Sequence, residues 1–183
     1  MRQFKVKGAK CSLFTLCLSS PVEVAPRELA QQLRSILDRD EWVVVLSSCE
    51  LVPPEDVLLS PCMYAVRAYL ARTMISEWLE IEVLLYLLGE RNIRSAVSLL
   101  AEKPGRQLGL ICLTLRDPKA LESKIREFSL RRGFKLHAVQ GDGWVKHYAE
   151  YFNLKSDNPE KLREATARTL RARAALLTLE AQR

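Results

Sequence analysis

The sequence has little of several residue types that mark particular classes of protein. Only 7% of its residues are aromatic, and its 183 residues include 7 glycines, 8 prolines and 2 histidines. This composition excludes collagen-like, low-complexity and disordered chains. No uninterrupted apolar run approaches the roughly 20 residues that a membrane-spanning helix needs, so no membrane partner is expected.

Cysteine pairs at metal-binding spacing are also missing. The five cysteines form no C-x-x-C pair: Cys11, Cys17, Cys49, Cys62 and Cys112. An odd number at irregular spacing predicts reduced, mostly buried thiols and therefore a cytoplasmic protein. A structural zinc site needs four clustered ligands, and the sequence has no such cluster, so neither a metal nor another cofactor is implied.

The sequence does contain enough apolar material for one sizeable core. Hydrophobic residues make up 48% of the chain, and the length predicts a single domain over 1–183. The net charge of +6 is unevenly distributed, because 25–88 is net acidic whereas 89–135 alone carries +6. This basic segment is compatible with a polyanionic partner, and also with an ordinary solvated face.

The order of periodic segments predicts an α/β (α+β) fold, with a small mixed β-sheet flanked by several helices. Residues 49–59 are expected to form a loop, and Ser60-Pro61 has the pattern of a helix start. A long C-terminal helix is expected from Asn158-Pro159. Its predicted packing stripe has the spacing 3, 4, 3, 4, 3: Leu162, Ala165, Thr169, Ala172, Leu176 and Leu179.

One junction between two predicted helices has the features of an anion site. An almost wholly apolar helix ends at Gly89, and Asn92 is a fitting N-cap for the next helix. The first N–H groups of that helix have no intrahelical partner, and Arg91 and Arg94 flank them. Ile93 offers an apolar surface to a base if it is exposed. The alternative is a solvated arginine pair with Ile93 in the core.

Catalytic patterns are weak. The sequence has no Gly-rich phosphate loop and no paired carboxylates suited to acid–base chemistry. A stand-alone enzyme would have to use His147 or Cys62, and both are more typical of structural positions. We therefore expect no catalytic residues and a protein that is not an enzyme.

The segment from Glu80 to Ala96, EIEVLLYLLGERNIRSA, resembles the signature of one small family. This family is the kinase-binding, tRNA-recruiting small subunit of the KEOPS complex, whose pattern is approximately E-[IV]-L-L-Y-x-x-G-x-R-[QN]-I-x-x-A. The tail from Arg173 to Leu179, RAALLTL, is similar to the family's terminal R-x-A-L-L-x-[LV] helix. The resemblance covers about 12–180, although only these two motifs are specific. Asn92 and Leu88 depart from the commoner residues of archaeal members.

The resemblance implies a non-catalytic role in tRNA modification. KEOPS attaches a threonylcarbamoyl group to the adenosine beside the anticodon, and another subunit carries out the catalysis. The subunit resembled here binds the kinase/ATPase subunit, and archaeal members also bind the single-stranded 3′ CCA end of tRNA. The arginine-containing motif is more similar to archaeal members than to the human one, which favours tRNA binding by this chain.

The resemblance also assigns residues. Gly89, Arg91 and Ile93 match the motif at the tRNA-end site. We include Asn92, which stands where many archaeal members have glutamine, and we add Arg94 because of its charge and position. In the tail motif, Leu176 and Leu177 are expected on the kinase-facing side. The main alternative is a protein–protein adaptor or regulator of the kinase that does not bind tRNA directly. The sequence does not indicate an oligomeric state.

Overall fold

The computed structural model describes residues 1–180, which form one five-stranded sheet and seven helices. The strands are β1 (Arg2–Val6), β2 (Ala9–Val24), β3 (Glu41–Leu46), β4 (Gly105–Thr114) and β5 (Lys135–His137). The helices are α1 (Pro26–Arg34), α2 (Glu55–Ala71), α3 (Leu79–Leu88), α4 (Ile93–Leu100), α5 (Pro118–Arg131), α6 (Gly143–Tyr151) and α7 (Pro159–Glu180). A short 3-10 helix spans Cys49–Leu51.

The strand order is β1-β2-β4-β3, and β5 also pairs with β2. The predicted class is confirmed: one sheet lies among several helices, and a long helix ends the described chain. However, each of the pairs formed by these strands is antiparallel, so the sheet is not mixed as expected. Antiparallel neighbours need no helical crossover, which allows β1 and β2 to be joined by a tight turn at Lys7-Gly8.

Both faces of the sheet are covered, because successive side chains of a strand point to opposite faces. Leu13 of β2 and Val44 of β3 belong to the larger core, which contains α2, α3 and α7. Phe14 and Val45 belong to the smaller core, on the face covered by α1 and α5. This double burial explains why β3 is a continuous apolar run rather than an alternating one.

The most buried helix of the larger core is α3, and it carries a buried carboxylate. Glu82 has no solvent exposure. Its carboxylate accepts hydrogen bonds from the backbone N–H groups of Ile75 and Ser76 at 3.0 Å each, and from the Ser76 hydroxyl at 3.2 Å. These bonds fix the segment that enters α3, and so they fix the position of the helix whose C-terminal end forms the junction described below.

Three local predictions are corrected. The second helix begins at Glu55, after Pro53-Pro54, and Pro61 lies inside it instead of at its start. Pro61 has no N–H to donate to the helix, and the free energy gained by burying the apolar side chains of α2 outweighs the lost hydrogen bond.

The packing face of α7 differs from the predicted stripe. Its buried residues are Thr166, Ala167, Leu170, Ala174 and Leu177.

The cysteines also differ from expectation in part. Cys17 of β2 and Cys49 of the 3-10 helix are joined by a disulfide, with Cα atoms 5.4 Å apart. The other three, Cys11, Cys62 and Cys112, are free and buried as predicted. The pairing depends on the fold bringing the 3-10 helix against β2, which the spacing of the cysteines does not reveal.

Within residues 1–180, no helix is both long enough and apolar enough to cross a membrane.

Candidate nucleic-acid interface

The junction between α3 and α4 has the predicted local geometry. Gly89 adopts the left-handed conformation with φ 64°, and its N–H donates to the Leu85 carbonyl. Asn92 is the N-cap of α4, and its side-chain oxygen accepts from the Ser95 N–H at 3.2 Å. This cap uses one N–H of the first turn, and the described residues hold no partner for the N–H groups of Ile93 and Arg94.

Gly89 itself is a packing residue rather than a ligand-facing one. A Cβ at this position would lie 2.4 Å from Cβ and 3.1 Å from the backbone carbon of Arg173 in α7. Only glycine permits this approach, and its positive φ also favours glycine. Gly89 therefore contributes to this junction by setting the position of the residues that follow it.

Arg173 connects the junction to α7 through its side chain. Its Nε donates to the Leu88 carbonyl at 2.9 Å, which caps the C-terminal end of α3. The guanidinium lies 5.1 Å from the centre of the Phe152 ring, and its Nη2 lies 3.9 Å from Oε1 of Glu90. Arg173 is thus engaged inside this chain.

The acidic residue of the junction is also engaged. The Tyr151 hydroxyl donates to Oε1 of Glu90 at 2.6 Å. Burial, followed by this bond to a carboxylate, raises the pKa of Tyr151 to about 12. Glu90 is therefore held by Tyr151 and Arg173, and it forms no ion pair with Arg91 or Arg94.

The next four residues form one exposed surface, which we call the 91–94 turn: Arg91, Asn92, Ile93 and Arg94. Ile93 is 41% exposed, so the alternative in which it belongs to the core is wrong. Neither arginine forms an ion pair with any residue in 1–179. Two free guanidinium groups therefore flank an exposed apolar side chain at the start of a helix.

A cavity of about 400 Å³ contains further basic and aromatic residues that the sequence did not associate with the turn. We call it the tyrosine cavity. Its walls include Lys7 of the β1–β2 turn, Arg67, Tyr64 and Tyr86, and Thr178 of α7. The Tyr64 and Tyr86 rings are stacked, with centres 6.1 Å apart and planes inclined by 25°. Lys7 and Arg67 have no carboxylate partner among the described residues.

Electrostatics link this cavity to the 91–94 turn. Burial raises the pKa of Tyr86, whereas its hydrogen bond to Thr178 and the charges of Arg67 and Arg91 lower it. Both arginines therefore act on the same hydroxyl. The fold brings Lys7 of the β1–β2 turn and Arg67 of α2, which lie far apart in the sequence, together in this cavity. No signal in the sequence indicates this proximity, because it depends on the packing of α2 against α3 and α7.

The two residues assigned to the kinase side have different environments. Leu176 is 57% exposed and available to a partner. Leu177 is 2% exposed and belongs to the larger core, so its assignment to a partner surface is wrong. Leu179, three residues after Leu176, is 61% exposed. The apolar surface at this end of α7 is therefore formed by Leu176 and Leu179.

The residues considered for catalysis are poorly placed for it. Cys62 has no solvent exposure, and burial raises the pKa of its thiol, which opposes formation of a nucleophilic thiolate. His147 is at the surface, with its Nε2 3.5 Å from a carboxylate oxygen of Glu50. In the described part of the chain, no three histidine, cysteine, aspartate or glutamate side chains are grouped to hold a metal ion.

The chain matches no protein-family model, and no curated protein matches it.

Proposed function

We propose that this chain is a non-catalytic KEOPS-type subunit, similar to archaeal members, that binds the single-stranded 3′ CCA end of tRNA and docks on the kinase/ATPase subunit. The observation that carries the proposal is the combination of two unpaired arginines and an exposed isoleucine beside a basic cavity with stacked tyrosines. No cofactor is part of the proposal. A cytoplasmic location is part of the proposal, because the chain would bind tRNA there. The Cys17–Cys49 disulfide argues against that location, because disulfides are rare in cytosolic proteins.

The chemistry of a single-stranded RNA end supports the 91–94 turn as its binding surface. Such an end presents phosphates together with unstacked bases, and proteins bind it with cations and with apolar or aromatic surfaces. Arg91 and Arg94 supply guanidinium groups for phosphate, and Ile93 supplies an apolar contact for a base. Tyr64, which is half-buried, is the aromatic side chain available in the neighbouring cavity.

The kinase contact is assigned to the end of α7. Leu176 and Leu179 are exposed leucines on one side of this helix, and apolar side chains of this kind are typical of a protein-binding surface. Thr178 lines the tyrosine cavity, so the two proposed surfaces are adjacent. These exposed leucines also favour the second candidate function, an adaptor or regulator of the kinase that does not itself bind tRNA.

Charge reversal separates the two candidates. Arg91→Glu is expected to weaken binding to a tRNA transcript at least tenfold, because a charge-assisted hydrogen bond contributes about 1.5–3 kcal/mol. The matched control is Lys119→Glu, which changes the net charge equally but lies exposed at the start of α5, on the other face of the sheet. Lys119→Glu is expected to retain nearly the affinity of the unmodified chain.

Salt dependence provides the second readout. Each phosphate contact with a single strand contributes about 0.7 to the slope of log affinity against log salt concentration. Arg91→Glu should therefore lower this slope, and Lys119→Glu should not. Equal losses of tRNA affinity in the two variants would show that the 91–94 turn contributes only through the net charge of the chain. Unchanged binding in Arg91→Glu would refute the assignment of the site.

A further inference from the structure

A short segment crosses the sheet from the end of β3 over β4 to β2, and we call it the 47–52 strap: Ser47 to Val52. It contains the 3-10 helix. A Cβ at Gly105 of β4 would lie 2.6 Å from the Ser47 carbonyl oxygen, and a Cβ at Gly109 would lie 2.8 Å from the carbonyl oxygen of Ser48. The strap lies this close to β4 because β4 has glycines beneath it.

The strap is attached to the rest of the chain at its two ends and in its middle. At its start, the Ser47 N–H donates to the Leu100 carbonyl at 2.8 Å. At its end, Val52 is buried in the larger core. In its middle, Cys49 forms the disulfide with Cys17 of β2. The disulfide is therefore the attachment that holds the 3-10 helix against β2.

The middle of the strap also contacts α6. The Leu51 carbonyl accepts a hydrogen bond from the buried Tyr148 hydroxyl at 3.0 Å. The Glu50 carboxylate lies 3.5 Å from Nε2 of His147, and a Cβ at Gly143 would lie 2.9 Å from Cβ of Glu50. The position of the strap therefore determines how α6 packs.

At its other end, α6 contacts the junction between α3 and α4. The Tyr151 hydroxyl donates to Glu90 at 2.6 Å, and the Phe152 ring lies against the Arg173 guanidinium. Arg173 in turn donates to the Leu88 carbonyl. A continuous series of contacts thus leads from the disulfide through the strap and α6 to the junction, which is the kind of path that energetic coupling needs.

The two sulfurs of the disulfide differ in their access to solvent. Cys49 is half-buried, whereas Cys17 is only 4% exposed. A thiolate in solution therefore reaches the Cys49 sulfur first. The three free cysteines, Cys11, Cys62 and Cys112, have no solvent exposure, so solvent thiols do not reach them in the folded chain.

The fold can also accommodate the reduced form. The Cys49 sulfur lies 3.3 Å from the Leu108 carbonyl oxygen, to which a thiol can donate a hydrogen bond. The attachments of the strap at Ser47 and Val52 do not involve the disulfide. Reduction therefore frees the middle of the strap from β2 while its ends stay in place.

We propose that the Cys17–Cys49 disulfide is a redox switch, which is reduced by a dithiol and sets how firmly the 47–52 strap holds α6 and, through α6, the α3–α4 junction. A thiolate of the dithiol attacks the Cys49 sulfur, the S–S bond breaks, and Cys17 leaves as a thiolate that takes a proton. The second thiol of the dithiol then attacks the mixed disulfide and releases Cys49. Two electrons and two protons pass to the chain, and the dithiol becomes a disulfide; oxidation by such a disulfide is the reverse exchange.

A switch is also the role that fits a disulfide in the cytoplasm. Disulfides of cytosolic proteins are mostly transient and catalytic or redox-sensing, because glutathione and thioredoxin keep thiols reduced. This step rests on the cytoplasmic location given under the proposed function. The measurements below do not involve RNA, so the two proposals fail separately.

The first experiment measures reduction of the folded full chain. The chain is equilibrated in buffers with increasing ratios of reduced to oxidised glutathione, and exposed thiols are then alkylated with iodoacetamide. We expect the disulfide to open within the range of ratios typical of the cytosol, and mass spectrometry to find alkylation first at Cys49. A disulfide that opens only after denaturation is a permanent structural bond and overturns the proposal.

The second experiment compares the hydrogen exchange of the oxidised and reduced chains. Reduction is expected to speed exchange in the strap, in α6 and around Glu90 by about fivefold or more, because the strap no longer holds α6 firmly. The helix α5, on the other face of the sheet, is the internal reference and should be unchanged. Equal acceleration in α5, or none in α6, contradicts the coupling.

Two variants assign the effect to this disulfide. Cys49→Ser should exchange like the reduced chain and should not respond to a reductant. The matched control is Cys112→Ala, which removes a buried free thiol and keeps the disulfide, so it should respond as the unmodified chain does. A response to the reductant that persists in Cys49→Ser would overturn the proposal.

Discussion

The close approach of Gly89 to Arg173 leads to a quantitative prediction for Gly89→Ala. The substitution adds a Cβ that would lie 2.4 Å from Cβ of Arg173, and it forces alanine into φ 64°. The backbone conformation costs about 1 kcal/mol. Displacing the α7 backbone adds about 1–3 kcal/mol, the usual cost of overpacking. The expected loss of unfolding free energy is therefore about 2–4 kcal/mol.

Gly133→Ala is the matched control. Gly133 has a similar φ of 70°, but a Cβ at this position would have no atom within 4 Å, so only the conformational cost applies. Urea unfolding of both variants isolates the contact with α7 as the difference between them. For a chain of this size we expect Gly89→Ala to lower Tm by about 4–15 °C. Equal losses of stability in the two variants would refute the packing role of Gly89.

The remaining predictions concern burial and ionisation. Leu177→Ala should lower the free energy of unfolding by about 2–5 kcal/mol, whereas Leu176→Ala should change it by less than about 0.5 kcal/mol in the same urea titration. Glu82→Ala should cost about 3 kcal/mol or more, because it leaves the half-buried Ile75 N–H and the buried Ser76 N–H unpaired; thermal unfolding measures this loss. The raised pKa of Tyr151 means that the unfolded chain loses this proton first, so stability should fall between about pH 10 and 12. In Tyr151→Phe, that part of the decline should disappear from unfolding curves recorded across this pH range.

Local signals in the sequence predicted the junction well. A glycine after an apolar helix and an asparagine before the next one are sufficient to predict an ending, a turn and a cap. Gly89 and Asn92 have these roles in the structure. The exposure of Ile93 was left open by the sequence, because a single apolar residue at a helix start packs inward or outward depending on the neighbouring elements.

The sequence did not predict the contacts between segments that are far apart along the chain. The presence of Lys7 and Arg67 in one cavity with Tyr64, and the pairing of Cys17 with Cys49, depend on how the elements pack. The face of α7 was predicted wrongly for a related reason. Small and apolar residues occur on more than one side of this helix, so the pattern did not distinguish the stripe with Leu176 from the buried one with Leu177.

The most direct test of the proposed function is a binding titration of the chain against two tRNA transcripts, one complete and one lacking its 3′ CCA. We expect the complete transcript to bind and removal of the CCA to reduce the affinity at least tenfold. Arg91→Glu should weaken binding of the complete transcript much more than that of the shortened one. Equal affinity for the two transcripts would contradict the account.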